Sequence, residues 1–111
     1  MLLENIGRKI IQKNNSMKTF DDLKFEIHPA TKKGIRSTVE LKPNVFISVV
    51  AGKGFYSTSK KGVRAECLKP EDASTFEVAI IDENLPEDEQ QWDVLGWQTR
   101  KDINKLIIDN S

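Results

Sequence analysis

The chain has one cysteine, Cys67, and one histidine, His28, among 111 residues. A lone cysteine excludes an internal disulfide, and one Cys with one His is too few soft ligands for a Cys/His zinc site. No metal or other cofactor is therefore expected. Nor is there an apolar run near the ~20 residues that a membrane-crossing helix needs. The N-terminus lacks the charged, apolar and small-residue succession of a secretory signal. No membrane association is expected, and a soluble, intracellular protein is the default. Charge of one sign is missing as well, since 17 Lys and Arg balance 17 Asp and Glu. What remains, 38% hydrophobic and 31% charged, suits one small globular domain with a single core.

The neutral total hides a sorting along the chain. From His28 to Lys69 nine Lys or Arg face only Glu40 and Glu66, a local balance of +7, whereas six acids and no base stand from Asp82 to Asp93, a balance of −6. Such segregation marks either an anion-binding face beside an acidic one or two solvated loops folded against each other.

Residues 1–16 read as an extension and 17–111 as a single α+β domain, the division falling at Asn14-Asn15-Ser16. In the extension Leu3, Ile6, Ile10 and Ile11 recur at helical spacing among Glu4, Arg8, Lys9 and Lys13, so residues 2–13 predict a short amphipathic helix. Beyond Met17 the period drops to two. Leu23, Phe25 and Ile27 alternate with polar neighbours, and so do Ile35, Ser37, Val39 and Leu41, each series predicting a half-buried strand. Pro29 and Gly34 supply the turn between them, and Pro43-Asn44 the next. The nearly unbroken apolar run over 45–51 predicts a central strand covered on both faces, and 75–81 a fourth strand with Phe76, Val78 and Ile80 on one side. Thr99 as N-cap, Asp102 three residues on and the stripe Ile103, Leu106, Ile107 predict a C-terminal helix laid on the sheet. The expected architecture is an antiparallel meander of about four strands with that helix packed on it. Gly96 is expected to let Trp97 turn inward, and Trp92 and Trp97 read as core or rim residues, with a partner-binding surface as the alternative.

In order and spacing, Met17-Lys18-Thr19-Phe20-Asp21-Asp22-Leu23, the strand-like stretches and Asp93-Val94-Leu95-Gly96-Trp97-Gln98-Thr99 before a helix resemble a group of small phage- and prophage-encoded proteins. These open "MKTFDDL" and close on a "DVIG(W/Y)-x-T" turn plus helix. The resemblance spans about residues 17–108 and brings no chemistry with it.

The connection 52–74 carries the functional expectation, since loops of such length are functional or disordered unless they hide a distorted hairpin. Its glycines, lysines and Tyr56 suit an anion or a stacked base, although Gly52-Lys53-Gly54 lacks the remainder of a phosphate-binding loop. Catalysis finds little support. His28 precedes Pro29, where capping or solvent exposure suits it better than a general-base role; Cys67 has Arg64 and Lys69 near in sequence, which would lower its thiol pKa if they approached. Glu87-Asp88-Glu89 lacks calcium-loop spacing and reads as a solvated turn. Two classes remain. The favoured one is a non-enzymatic accessory protein that binds a host or defence protein, with Arg36, Lys53, Lys60, Lys61 and Arg64 facing an acidic partner surface and Tyr56 as an aromatic anchor. The alternative is a nucleic-acid or nucleotide binder using the basic 52–64 loop, with a self-associating homo-oligomer as a third class.

Overall fold

The computed structural model describes residues 18–63, 65–90 and 93–111. The helix expected over 2–13, and with it Met17, Arg64 and Trp92, lies outside the described residues. Within them the chain forms an antiparallel sheet with one α-helix, in the order β1 (Glu26–Ile27), β2 (Gly34–Lys42), β3 (Val45–Gly52), β4 (Thr58–Ser59), β5 (Gly62–Val63), β6 (Ala73–Asp82), β7 (Val94–Gln98) and α1 (Arg100–Asp109). The α+β class expected from the pattern is therefore observed, but with seven strands in place of about four.

The difference has local causes. The alternation over 23–28 yields only the two residues of β1, which pair Glu26 with Arg36 and Ile27 with Ile35. Upstream, the 3-10 turn Phe20–Asp22 and Leu23 leave the sheet for the core, where the Phe20 N–H donates to Asn104 Oδ1 of α1 at 2.7 Å. Gly34 opens β2 opposite Gly52 and is not itself the reversal before it. The long connection hides a hairpin, β4–β5, with Lys60-Lys61 as its two-residue turn. Residues 94–98, read as a turn, form a strand on β6. Its alternation is broken by a bulge, because Val78 pairs with Leu95 and Phe76 with Gln98, leaving Gly96 and Trp97 opposite Glu77 alone. The long strands β2, β3, β6 and β7 thus follow one another as a meander, and the β4–β5 hairpin is inserted on β6 at Thr75 and Ala73.

Register sorts the faces. Ile35, Ser37 and Val39 of β2 stand beside Ala51, Val49 and Ile47 of β3, which in turn stand beside Val78 and Ile80 of β6. This face meets Ile103 and Ile107 of α1 and the ring cluster Phe20, Phe25 and Phe76, whose centroids lie 5.1 to 5.8 Å apart. Thr99 fixes where the helix starts, its hydroxyl accepting from the Asp102 N–H at 3.1 Å while the Asp102 carboxylate accepts from the Thr99 N–H at 3.0 Å. Arg100 then pins that end. Its guanidinium donates to the carbonyls of Ala73 (3.1 Å) and Pro70 (2.9 Å) and lies 4.9 Å over the Phe20 ring. The opposite face carries Phe46, Ser48 and Val50 of β3 with Ala79 and Ile81 of β6, all half-buried. Among the described residues α1 is the one α-helix, and it serves the first face.

Candidate binding site

On the second face, at the end of the sheet where β3 and β7 finish, the loop after β3 lies against the β7 bulge. Three contacts fix it. The Glu77 carboxylate accepts from the Tyr56 N–H at 2.9 Å, the Trp97 N–H donates to the Tyr56 carbonyl at 2.9 Å, and the two rings stand 5.4 Å apart at 43°. Glu77 points away from the helix because its neighbours Phe76 and Val78 are in the core. Gly96 has no side chain for a steric reason, as a Cβ there would come within 2.9 Å of Tyr56 Cβ.

Trp97 reverses the inward turn expected of it. It takes a left-handed backbone itself, with φ of 54°, and its side chain stays 57% exposed, as Tyr56 does at 56%. A bulky residue at positive φ costs of order 1 kcal/mol or more and persists only where surrounding contacts hold it. Here those contacts are the backbone bond to Tyr56 and the ring pair. An aromatic pair whose purpose was to fill the core would be buried; this one is held out into solvent.

Of the basic residues singled out in the sequence, Arg36, Lys53, Lys60 and Lys61 are described, and they stand at three separate places in the fold. Arg36 stands on β2, two strands from β6, with its Nε 3.2 Å from Glu26 Oε2. Lys53 follows β3, its N–H reaching the Lys33 carbonyl at 3.4 Å. Lys60 and Lys61, at the β4–β5 turn, line a cavity of about 200 Å³ together with Glu66, Glu71 and Asp72, so acids stand among those lysines. The N–H of Leu68, then that of Lys69 and the Lys69 and Lys61 charges, hold the Asp72 carboxyl below its ordinary range. Arg64 lies outside the described residues. Of the five that are described, Tyr56 belongs to the aromatic corner.

The basic and acidic runs meet at the Pro43-Asn44 turn, where the Glu83 N–H donates to the Asn44 carbonyl at 2.8 Å and the Asn84 amide to the Pro43 carbonyl at 3.0 Å, but the lysine-bearing turns stand elsewhere. Val45 pairs with Asp82 and Val50 with Glu77, so the turns bearing Lys32, Lys33, Lys53, Lys60 and Lys61 cluster at one end of the strands. The connection holding Glu83, Glu87, Asp88 and Glu89 leaves from the other.

The remaining chemical candidates take structural places. His28 Nδ1 accepts from the Ala30 N–H at 3.2 Å, capping its turn, and its ring packs on Phe55 at 5.3 Å. Cys67 is buried in the core, and burial, assisted by Asp72, pushes its thiol pKa up instead of down. Among the described residues no three His, Cys, Asp or Glu side chains gather as a metal ion would require, and no helix is long and apolar enough to cross a membrane. Sequence reading missed Glu77 and the exposure of Trp97. The bulge was the available signal, since Gly96 interrupts the alternation of 94–98. Glu77 gave none, because its contact with Tyr56 spans 21 residues. Comparison of the chain with protein-family models, with curated proteins and with solved structures finds no match.

Proposed function

We propose that this protein is a small accessory protein of the phage and prophage kind, acting without catalysis by binding a host or defence protein in the bacterial cytoplasm. The observation that carries the reading is the Tyr56–Trp97 pair, two large rings kept more than half exposed on a bulge that one of them holds at positive φ. Aromatic side chains of this kind act as anchors in protein interfaces, where they lose little rotamer entropy and bury much area. The half-buried apolar residues Val50 and Ala79, beside Glu77 on the same face, extend the surface available to a partner.

Capture from host lysate tests it, with the parent chain, Trp97→Ala and Tyr56→Ala compared at matched concentration and with folding checked by thermal melts. The parent is expected to retain a specific protein that both variants lose. Retention of the same proteins at equal strength by all three chains defeats the reading. Loss of all captured material on nuclease treatment transfers the role to nucleic-acid binding, for which the exposed rings offer stacking platforms.

A further inference from the structure

The aromatic corner sits beside a carboxylate that no cation among the described residues pairs with. Glu77 uses one carboxylate oxygen to hold the Tyr56 N–H, and its second has no partner among the described residues. The ion pairs found there are Arg36 with Glu26 and Lys105 with Asp109. Nor does any described cation of this chain lie over the Tyr56 or Trp97 ring, whereas Arg100 lies over Phe20 and Phe76 at 4.9 and 5.2 Å. Two exposed π faces tilted at 43°, with that carboxylate at their base, present negative potential from three sides.

Taking the binding role above as its ground, we infer that Tyr56, Trp97 and Glu77 form a receptor for a cationic side chain, an arginine or lysine in an exposed segment of the partner protein. The rings attract a guanidinium or ammonium through their quadrupoles, and the carboxylate supplies the countercharge. The same carboxylate disfavours the competing occupant. A nucleic-acid strand stacked on the rings would bring a phosphate toward Glu77, and Arg36, which the register places on the same face two strands away, is already bonded to Glu26. A purely apolar anchor would leave Glu77 partly desolvated and unpaired, which costs free energy.

The probes are five-residue alanine peptides carrying a central Arg, Lys, norleucine or Glu, titrated into the isotope-labelled full chain while the Trp97 indole N–H resonance is followed. The Arg and Lys peptides are expected to shift it saturably, and the norleucine and Glu peptides to leave it in place. Glu77→Gln keeps an oxygen that can accept the Tyr56 N–H and removes only the charge, so it should fold as the parent does and bind the Arg peptide about fivefold more weakly or worse. Trp97→Ala, its binding read from the peptide's own resonances, should abolish it. Equal shifts from the norleucine peptide, or parental affinity in Glu77→Gln, overturn the proposal, as does saturation by a thymidine oligonucleotide in place of the cationic peptides. If Trp97→Ala loses the lysate partner while no cationic peptide binds, the cation site is wrong and the binding role stands. If the peptides bind but the variant captures the same lysate proteins as the parent, the role is wrong and the site stands.

Discussion

At the scale of single residues, two positions in β2 and β3 show how the sheet tolerates local misfits. Ser37 occupies a core position beside Val49, and its buried hydroxyl has no hydrogen-bond partner among the described residues. An orphaned buried hydroxyl costs more than the small loss of contact when its oxygen is deleted. Ser37→Ala is expected to raise stability by about 1 kcal/mol, read from the urea midpoint; a fall of that size would mean that the hydroxyl has a partner. Gly52 shows the opposite sensitivity. It has φ of 134°, and a Cβ there would stand 2.5 Å from Gly34 Cα and 2.6 Å from the Lys33 carbonyl oxygen, both backbone atoms. No rotamer can relieve that clash. Gly52→Ala should therefore cost about 2 kcal/mol or more, and more than Gly96→Ala, where no positive φ is required and a small shift of the loop can relieve the 2.9 Å approach to the Tyr56 Cβ.

At the scale of elements, the helix is held by its buried stripe and by its first turn. Ile103 and Ile107 are fully buried and Leu106 only partly so, so truncation of either isoleucine to Ala should cost about 2 to 5 kcal/mol, with the Leu106 change at or below the low end. Arg100 acts by shape as well as charge, because its fork bonds two carbonyls while its plane covers two rings. Arg100→Lys, keeping the charge but losing the fork and the flat face, is expected to destabilise by about 1 to 2 kcal/mol in chemical denaturation. The cap gives a pH dependence with a defined sign. The Thr99 N–H, then its hydroxyl, hold the Asp102 carboxyl below its ordinary range. A depressed folded-state pKa means that the stabilisation is complete above the unfolded value, about 3.9, and is lost as pH falls through the lower folded value. Melting temperature should therefore fall below about pH 4 in the parent and fall less steeply in Asp102→Asn.

At the scale of the molecule, the turns bearing Lys32, Lys33, Lys53, Lys60 and Lys61 share one end of the strands with the aromatic corner. Those lysines are spread over separate turns and interleaved with Glu66, Glu71 and Asp72, so they do not form the continuous track that a phosphate backbone needs. Capture of the partner should therefore weaken by less than about tenfold between 50 and 200 mM salt, measured by titration calorimetry. A surface neutralising six to ten phosphates would lose about a thousandfold or more over the same range. A loss of that larger size would assign the end of the sheet to nucleic acid.

The sequence by itself determined the α+β class, the strands β2, β3 and β6, the Pro43-Asn44 reversal and the Thr99 cap, because each rests on a local signal. Alternation of period two needs only neighbouring residues, and Asn44 with φ of 64° and the Thr99–Asp102 box are complete within four residues. Tertiary structure decided the rest. Leu23 and Phe25 alternate as well as any strand, yet they join the cluster of Phe20 and Phe76 without pairing, since the helix end offers burial that the edge of β2 does not. The β7 strand stayed hidden because its bulge shifts the alternation between Leu95 and Gln98. The candidate site was invisible as a unit: Tyr56, Glu77 and Trp97 stand about twenty residues apart in turn, and only the pairing of β6 with β7, with the loop after β3 laid across it, puts a carboxylate and two exposed rings together. Local sequence can fix a residue's conformation, but which distant charge it meets depends on strand register, and register is set by the core face that α1 covers.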